Sequence, residues 1–491
     1  MEQIKENKDA MKSLTITEII KEIEKDITVL ASKTGQAYIK YASEDNEVLI
    51  IPVDSFEFEN WFREVCYFRY DLIVPAGGHK QAQEHMKMLA RRSERYQLSR
   101  RVYCIIKEGS IYYDMGRTDG KYLKITSKKI NLVKTSKALF LRDKVFSPQC
   151  EPDLEANPKE VMYYIKKHFN FATRDQELLF AVFLVSCFFG RTMPLPICEF
   201  FGSQGSSKST CLRRVRDLID PHSVGLYSMP KREDDISILL ESDYLVCFDN
   251  ISFISQDVSN LLCRNCTGSA QVRRKLYSDN GTVMFDIGAI VCFSSTRQCI
   301  VRGDLADRTL FFELQRISPE DMESEKNLRE QWEDDLPQFF GSLVKTVQAV
   351  LGDTSYISVK SPFRLVDFFE LAVRAGQCMG YSDTQVREAF LENAMIANDA
   401  VMTENTVLSV VEAFMDQEQN NEGLELQVTE FYRQIKLFAL EELSIDGRSF
   451  PGAPEVLSRM LSENKTDLEK VGIFYRIKRG KNARYINIWK E

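Results

Sequence analysis

The sequence predicts an α/β protein built around a largely parallel sheet, and three features of the chain point to this class. Apolar runs of strand length alternate with helical patterns between residues 159 and 316. Such alternation favours a parallel sheet that is covered by helices on both faces. A glycine- and serine-rich stretch follows one of these runs, and a later run ends in an aspartate. The segments on either side lack the alternation, so we expect further domains there.

Composition and charge restrict the class of protein further. The chain has 491 residues, 44% of them hydrophobic and 28% charged, with a formal net charge of −8. Any nucleic-acid binding must therefore come from local basic patches that oppose the global sign. The N-terminus reads MEQIKENKDAMKS, which is unlike a signal peptide. The apolar stretch LLFAVFLVSCFF is shorter than the roughly 20 residues of a membrane span, so we expect a buried helix and a cytoplasmic protein without membrane contact.

The cysteines indicate a reducing compartment rather than a metal site. Twelve are scattered singly, apart from Cys263 and Cys266, which are separated by two residues. A zinc site needs a second ligand pair, and the four histidines do not provide one at a suitable spacing. We therefore interpret most of these thiols as small core residues.

Four regions are predicted. Residues 1–145 are expected to form an α+β domain, which begins with a helix over 14–31 capped by Thr17 and continues with short strands. Residues 159–316 form the α/β core, whose strand-like runs are PICEFFG, SVGLYS, DYLVCFDN, GAIVCFSST and TLFFELQR. Residues 317–420 are predicted to be a helical lid and linker. Residues 425–491 read as helices followed by two short strands.

The stretch GSQGSSKST predicts a phosphate-binding loop. Gly202, Lys208 and Ser209 have the spacing G-x-x-x-x-G-K-[ST], with Ser207 in place of the final glycine, between an apolar strand and a helix pattern. Backbone N–H groups and the helix N-terminus would face phosphates, Lys208 would neutralise their charge, and the Ser209 hydroxyl would ligate Mg²⁺. The alternative is an ordinary surface loop. The predicted ATP-binding residues are Gly202, Ser203, Gln204, Gly205, Ser206, Ser207, Lys208, Ser209 and Thr210.

A carboxylate at a suitable distance along the chain supports the nucleotide site. The run YLVCFDN ends in Asp249, and a carboxylate at the end of a neighbouring strand is what a Mg²⁺ site beside such a loop needs. Asn250 follows where a catalytic glutamate is common, and an amide can orient water but cannot take its proton. Asp249 itself, Asp243 and Glu241 are unranked candidates for that task.

A basic hairpin and a polar strand end come next. SDNG is a strong turn signal, so residues 271–287 read as a β-hairpin whose first strand carries Arg273, Arg274 and Lys275. A solvated edge strand is the alternative for these cations. The following strand ends in Ser294, Ser295 and Thr296, and the stretch DLADR contains Arg308.

The order of these motifs resembles that of AAA+ replicative helicases of the superfamily 3 or MCM-like type from phages and mobile elements. The chain is similar to the Rep and Cch-type helicases of staphylococcal pathogenicity islands and cassette chromosomes. The resemblance implies that Arg308 reaches the γ-phosphate held by a neighbouring subunit of a ring; pairing with Asp304 or Asp307 is the alternative. It also implies a water-holding sensor among Ser294, Ser295 and Thr296, which we place at Ser295, and more weakly a second sensor at Arg364. The basic hairpin would grip DNA in the channel.

The C-terminal segment resembles a winged-helix domain. Residues 471–491 contain six basic residues and one acidic residue, so this segment is positively charged although the whole chain is negative. We expect Lys478, Arg479, Lys481 and Arg484 to contact DNA phosphates and the helix at 454–464 to contact bases. A wing used only for protein packing is the alternative.

The sequence and this resemblance therefore predict an ATP- and Mg²⁺-dependent helicase that acts as a hexameric ring on single- and double-stranded DNA. A replication initiator, primase or polymerase is a compatible partner. The alternative function is an origin-binding or complex-remodelling ATPase that does not unwind DNA. Residues 1–145 have no assigned chemistry, although the basic stretch at 87–101 suits a nucleic-acid surface or a solvated helix face.

Overall fold

A computed structural model of the chain describes residues 14–491 with several gaps. The residues left out are 44–47, 118, 135–138, 143–144, 275–281, 356, 358–359, 418–422, 444, 446–449 and 481–482.

The N-terminal region begins with a small α/β layer that has its own hydrophobic core. Helices α1 (Ile16–Glu24), α2 (Phe56–Tyr70) and α3 (Gly78–Ala90) pack with a sheet of order β3-β2-β1-β4. Its strands are β1 (Thr28–Ser32), β2 (Ala37–Ala42), β3 (Val48–Pro52) and β4 (Arg95–Tyr96). The helix predicted for residues 14–31 is wrong in its second half. Thr15, rather than Thr17, caps α1, and the β-branched run after Asp26 pairs with β2 as a strand.

An antiparallel sheet follows and packs on the rest of the chain. Strands β5 (Leu98–Ser99), β6 (Val102–Ile105), β7 (Ser110–Asp114), β8 (Tyr122–Thr126), β9 (Ile130–Val133) and β10 (Leu139–Phe140) complete this region. Strands β6 to β9 form one sheet in chain order. Its buried side chains, such as Ile111, Tyr113 and Ile125, belong to the same core as the helices that follow residue 160.

A parallel sheet with helices on both faces forms the centre of the molecule, as predicted. Its strands are β11 (Ile197–Phe201), β12 (Leu245–Ile251), β15 (Ile290–Ser295) and β16 (Thr309–Glu313), in the order β12-β15-β11-β16. Alternate residues enter different cores, because successive strand side chains point to opposite faces. Cys198, Cys247 and Cys292 enter one core, and Val246 and Phe293 enter the other.

The helices around this sheet come from several parts of the chain. They are α4 (Val161–His168), α5 (Arg174–Ser186), α6 (Lys208–Ile219), α7 (Glu233–Ser242), α8 (Gln256–Thr267) and α9 (Gly303–Ala306). Residues 178–186 of α5 are all buried, which confirms the predicted buried helix. Among the described residues, no helix is both long and apolar enough to traverse a bilayer.

The strand predicted at SVGLYS is not formed. Only Tyr227 in this stretch pairs with the sheet, through an isolated bridge to Phe248. Its N–H donates to the Cys247 carbonyl and its own carbonyl accepts from the Asp249 N–H. The segment therefore touches the edge of β12 at one point without extending the sheet.

The predicted hairpin is present as strands β13 (Ser269–Arg274) and β14 (Thr282–Ile287), which pair antiparallel. Lys275 and the turn at 278–281 lie outside the described residues.

The C-terminal half is helical as predicted and ends in a small sheet. Its helices are α10 (Glu325–Gly352), α11 (Val366–Met379), α12 (Asp383–Glu404), α13 (Thr406–Met415), α14 (Val428–Glu441), α15 (Pro454–Glu463) and α16 (Lys465–Lys470). The two predicted terminal strands are β18 (Ile473–Arg479) and β19 (Arg484–Lys490). Strand β17 (Leu424–Gln427), which the sequence analysis missed, pairs with the other edge of β19.

A buried ion pair joins the N-terminal region to the end of α6. Arg101 is fully buried and donates from Nε to Asp220 Oδ1 at 2.7 Å. Its guanidinium also donates to the carbonyls of Ser147 and Pro221 and lies over the Phe146 ring. Burial alone would raise the pKa of Asp220, but the charge of Arg101 holds that pKa below its usual value. Arg101 is thus a structural residue, and the basic stretch at 87–101 does not present it to a nucleic acid.

Arg101→Ala should destabilise the protein by about 3–5 kcal/mol, because it leaves the Asp220 carboxylate buried without its cation. Urea denaturation would measure the loss. Arg92→Ala, at an exposed position of the same basic stretch, should change stability by less than about 0.5 kcal/mol. A loss below about 1 kcal/mol for Arg101→Ala would contradict the structural role.

Candidate nucleotide-binding site

The glycine-rich loop lies between the central strand β11 and helix α6. It leaves the sheet at Gly202, where a Cβ atom would lie 2.4 Å from the Leu314 carbonyl oxygen, so no larger residue fits there. Gly205 has φ +81°, a conformation that glycine adopts without strain. The predicted loop residues Ser203, Gln204 and Gly205 are exposed.

Ser207 occupies the position where such loops carry glycine, and its backbone explains the preference. It has φ 57° and ψ 29°, in the left-handed region, immediately before α6 begins at Lys208. This conformation costs a residue with a Cβ atom roughly 1–2 kcal/mol. The serine therefore keeps the backbone path of the loop at an energetic cost that glycine would avoid.

The Lys208 ammonium bends back over the loop. Its Nζ donates to the carbonyls of Gly202 and Ser203 at 2.8 Å each, and it lies 3.4 Å from Ser206 Oγ. Ser206 is buried and donates in turn to the Ser203 carbonyl. Burial lowers the pKa of Lys208, and the negative charge of Asp249 partly offsets that effect. Among the residues that the structure describes, the acceptors of this ammonium are neutral oxygens, which an anion could replace.

Asp249 is the meeting point of three elements. Both of its carboxylate oxygens accept from the Ser209 hydroxyl at 2.9 Å, which joins β12 to the first turn of α6. The Ser294 hydroxyl at the end of β15 also donates to Asp249 Oδ1. A carboxylate and a hydroxyl in contact, next to an ammonium, form a donor set that fits a hard divalent cation bound with phosphates.

Asn250 follows in a distorted part of β12. It has φ 57°, and the pairing of β12 with β15 shifts register between Phe248 and Ile251. Asparagine tolerates the left-handed region better than most residues with a side chain. Its N–H donates to Ser294 Oγ at 2.8 Å and its side chain is exposed. Ser294 is thereby fixed between Asp249 and the Asn250 backbone.

The polar end of β15 does not place Ser295 beside Asp249. Its hydroxyl is buried and donates to Glu199 Oε1 at 2.7 Å. Glu199 also accepts from the N–H groups of Cys299 and Ile300, so it holds the loop after β15 against β11. Burial raises the pKa of Glu199, and these hydrogen bonds partly offset the rise. Of the three sensor candidates, Ser294 is the one that contacts Asp249.

Asp243 lies before the first residue of β12 and is too far from Asp249 to reach this site. It precedes the strand and lies six residues before Asp249. At about 3.3 Å per residue the two carboxylates are about 20 Å apart along the strand direction. Glu241 is further still along the chain, at the end of α7. Neither candidate is brought to the loop.

Arg316 was missed by the sequence analysis. The chain beyond β16 runs beside the loop, where the Ile317 N–H donates to the Gly205 carbonyl at 3.3 Å. The Gln315 N–H donates to the Asn170 carbonyl at 2.9 Å. Arg316 lies between these two anchors with an exposed side chain, and its Nε is 3.9 Å from where a Cβ on Gly205 would lie. No motif spacing marks such a residue, because the approach depends on the sheet order.

Arg308 contacts its own chain. Its Nη1 donates to Asp304 Oδ1 at 2.6 Å, the pairing that the sequence analysis gave as the alternative. Arg364 lies 3.1 Å from the same carboxylate and also faces Asp307 at 3.9 Å. Asp307 in turn pairs with Lys470 at 2.5 Å. The two predicted arginines therefore share one acidic partner, Asp304, which lies in the short helix α9 before β16.

The predicted DNA-contacting residues fall on two hairpins. Arg273 and Arg274 lie on β13. Lys478, Arg479 and Arg484 are exposed on β18 and β19, and Lys481 lies outside the described residues.

The fold and this loop define an α/β protein whose parallel sheet carries a glycine-rich loop, a lysine and an aspartate at one edge. Two family models match the chain in order. Residues 163–395 match the family described as actinomycete integrative conjugative element replication protein, and residues 407–491 match the C-terminal domain of the same RepA proteins. The matches cover about two thirds of the chain, and the protein belongs to this family of replication proteins.

Solved structures give weaker likenesses. The "active helicase" Cch of SCCmec type IV has 12% identity and a TM-score of 0.47, with 94% of this chain and 93% of that chain covered. The C-terminal region of NrS-1 has 10% identity and a TM-score of 0.41, with 97% and 99% covered. No curated protein matches significantly.

Ser207→Gly should stabilise the protein by about 0.5 kcal/mol, because relief of the left-handed strain exceeds the added entropy of the unfolded chain. Ser206→Gly, one residue earlier, should instead destabilise it by about 1–2 kcal/mol through the lost hydrogen bond to Ser203. Urea denaturation of both variants provides the comparison. Equal losses for the two would show that Ser207 is not strained.

Proposed function

We propose that this protein is an ATP-dependent replicative DNA helicase of a mobile element, with a AAA+ core at residues 159–316. The contact of Ser209 with Asp249 beside the Lys208 ammonium is the observation that supports it most strongly. Membership in a family of replication proteins agrees with it. Residues 317–420 act as a helical lid, and residues 425–491 as a winged-helix-like DNA-binding domain.

The residues of one subunit bind Mg²⁺–ATP. Lys208 exchanges the loop carbonyls for phosphate oxygens, and the loop N–H groups bind the same anion. Ser209 and Asp249 hold Mg²⁺ through a hydroxyl and a carboxylate. When bound, Mg²⁺–ATP supplies the phosphoanhydride bond whose hydrolysis drives movement on DNA.

Ser294 takes the role of holding water next to Asp249. Its hydroxyl is already oriented by the Asn250 N–H and the Asp249 carboxylate. Asn250 can orient water but not deprotonate it. Of the three carboxylates considered for taking the proton of that water, Asp243 and Glu241 are too distant. Asp249 is therefore assigned this task.

Arg308 completes the site of a neighbouring subunit in a ring, which we expect to contain six copies. It leaves Asp304 for the γ-phosphate of that subunit's ATP. A cation delivered in this way can be worth roughly 10³–10⁵ in rate. Arg273, Arg274 and Lys275 of the hairpin grip DNA phosphates as subunits hydrolyse ATP in turn.

A second function is favoured by Asn250 alone. The alternative is an origin-binding or complex-remodelling ATPase that does not unwind DNA. Its origin-binding form needs nucleotide binding but no turnover, and a site without the usual glutamate suits it. Turnover that single-stranded DNA stimulates, together with strand displacement, identifies the helicase. Nucleotide binding without turnover identifies the origin-binding protein, and turnover without strand displacement identifies the complex-remodelling ATPase.

Lys208→Ala should abolish ATP turnover, because the phosphates lose their principal cation. The rate is measured with and without single-stranded DNA. Arg213→Ala, which removes an exposed cation from the same helix α6, is the matched control and should retain most of the rate. Unchanged turnover in Lys208→Ala would show that the loop is not the ATP site.

Arg308→Ala should inhibit mixed assemblies more than its share of subunits predicts, because each variant subunit disables the site of its neighbour. ATP turnover is measured while variant and wild-type protein are mixed at increasing ratios. Arg264→Ala is the matched control, since it removes an arginine of the same core that pairs with Glu233 at 2.7 Å and has no proposed role in turnover. A loss in simple proportion to the Arg308→Ala fraction would contradict action between subunits.

A further inference from the structure

The C-terminal sheet has one buried face and one open face. Its strand order is β17-β19-β18. Ile473, Tyr475, Ile486 and Ile488 point into the core and are at most 6% exposed. Because side chains alternate along a strand, the intervening residues lie on the opposite side. We call this side the outer sheet face. On β18 and β19 it consists of Phe474, Arg476, Lys478, Tyr485, Asn487 and Trp489, and β17 adds Glu425 and Gln427, which lie opposite Asn487 and Tyr485.

Three cross-strand pairs build the outer sheet face. Phe474 lies opposite Trp489, Arg476 opposite Asn487, and Lys478 opposite Tyr485. The rings of Phe474 and Trp489 are 5.9 Å apart and within 21° of parallel. At about 3.4 Å per residue, the Lys478–Tyr485 pair lies about 14 Å along the strands from the aromatic pair. Aromatic rings therefore stand at both ends, with polar side chains between them.

The cations of this face are available to a ligand. Arg476 and Lys478 are exposed, and neither forms an ion pair with any described residue. The Arg476 guanidinium lies 5.8 Å from the centre of the Trp489 ring. Arg476, Lys478 and Trp489, together with Asn487 and the β17 edge, line a cleft of about 560 Å³. The acidic groups nearby are Glu425, which lines the cleft, and Glu491, which accepts from Trp489 Nε1.

We propose that the outer sheet face binds single-stranded DNA, with bases stacked on Trp489 and Tyr485 and phosphates bound by Arg476 and Lys478. Aromatic residues on an open sheet bind unpaired bases through their flat faces, and interspersed cations follow the backbone. In a duplex the bases are stacked on one another and cannot reach these rings. The choice of DNA rests on the proposed function.

The helix that the winged-helix interpretation assigns to base contacts does not favour a duplex. Helix α15 carries Glu455 and Glu463 against a single cation, Arg459, which itself lies 3.8 Å from Glu463. A helix entering a groove lined by phosphates needs the opposite balance of charge. The cations of this region lie on the sheet instead, so the sheet is the better DNA-binding surface.

Trp489 makes the proposal directly measurable. The chain has three tryptophans, and Trp489 is the one on the outer sheet face. Titration of the full-length protein with a 20-nucleotide oligothymidylate should quench its fluorescence. Trp489→Phe should abolish most of the quench and keep binding, which is followed independently by anisotropy of a labelled oligonucleotide. Trp489→Ala should weaken binding by about 5- to 150-fold, as expected for the loss of one stacked base.

Two further variants test the same binding surface if Trp489→Ala fails to fold. Tyr485→Ala, at an exposed position, should weaken binding by a similar factor. The double variant Arg476→Ala and Lys478→Ala should lower the slope of log affinity against log salt by about 1.4, since each phosphate contact contributes about 0.7 for a single strand. Arg459→Ala on α15 is the matched control and should leave oligothymidylate binding unchanged.

Several results would overturn the proposal. They are the absence of a Trp489-dependent quench, wild-type affinity in the Tyr485 and double variants, or tighter binding of a matched duplex that Arg459→Ala weakens. Tighter binding of an oligouridylate would overturn the assignment to DNA. Failure here is separable from failure of the proposed function. If single-stranded DNA stimulates turnover but does not quench the fluorescence, only DNA binding by the outer sheet face is contradicted. If the fluorescence is quenched but ATP is not turned over, only the helicase function is contradicted.

Discussion

The close approach of the glycine-rich loop to the end of β16 is the constraint on which the site depends. At Gly202 the loop passes so near the Leu314 carbonyl that a Cβ atom would overlap it. The contact continues at Gly205, whose carbonyl accepts from the Ile317 N–H. These backbone contacts set where α6 begins and where Lys208 and Ser209 point. They also bring Arg316 beside the loop, so one steric condition determines both the position and the electrostatics of the site.

The order of the parallel strands supplies the rest of the site. Because β15 lies between β12 and β11, the residues at its end separate the aspartate from the loop strand. Ser294 bridges towards Asp249, while Ser295, one residue later, points to Glu199 on β11. Adjacent serines thus do two different tasks. One orients the carboxylate that meets the Ser209 hydroxyl, and the other closes a buried hydrogen-bond network that holds the strand ends in place.

The sequence predicted what depends on local spacing and missed what depends on register. The contact between Ser209 and Asp249 was predictable because a local motif marks the first residue and the end of an apolar strand marks the second. The choice between Ser294 and Ser295 depends on which face of β15 each occupies relative to β12, and strand register is not visible in one sequence. The sequence predicted a surface position for Arg101, because its buried partner Asp220 is 119 residues away in the chain. The helix predicted over 14–31 failed because the pairing of β1 with β2 overrides the apolar spacing.

The C-terminal region is joined directly to the segment that carries Arg308. Lys470 pairs with Asp307, and the Asp467 carboxylate lies so close to Gly303 that a Cβ there would be 2.5 Å from it. Asp304, next to that glycine, holds both Arg308 and Arg364. Helix α16, which carries Asp467 and Lys470, leads into β18 within three residues. If Arg308 and the outer sheet face act as proposed, a DNA strand that displaces β18 also displaces residues 303–307, the segment that holds Arg308 through Asp304.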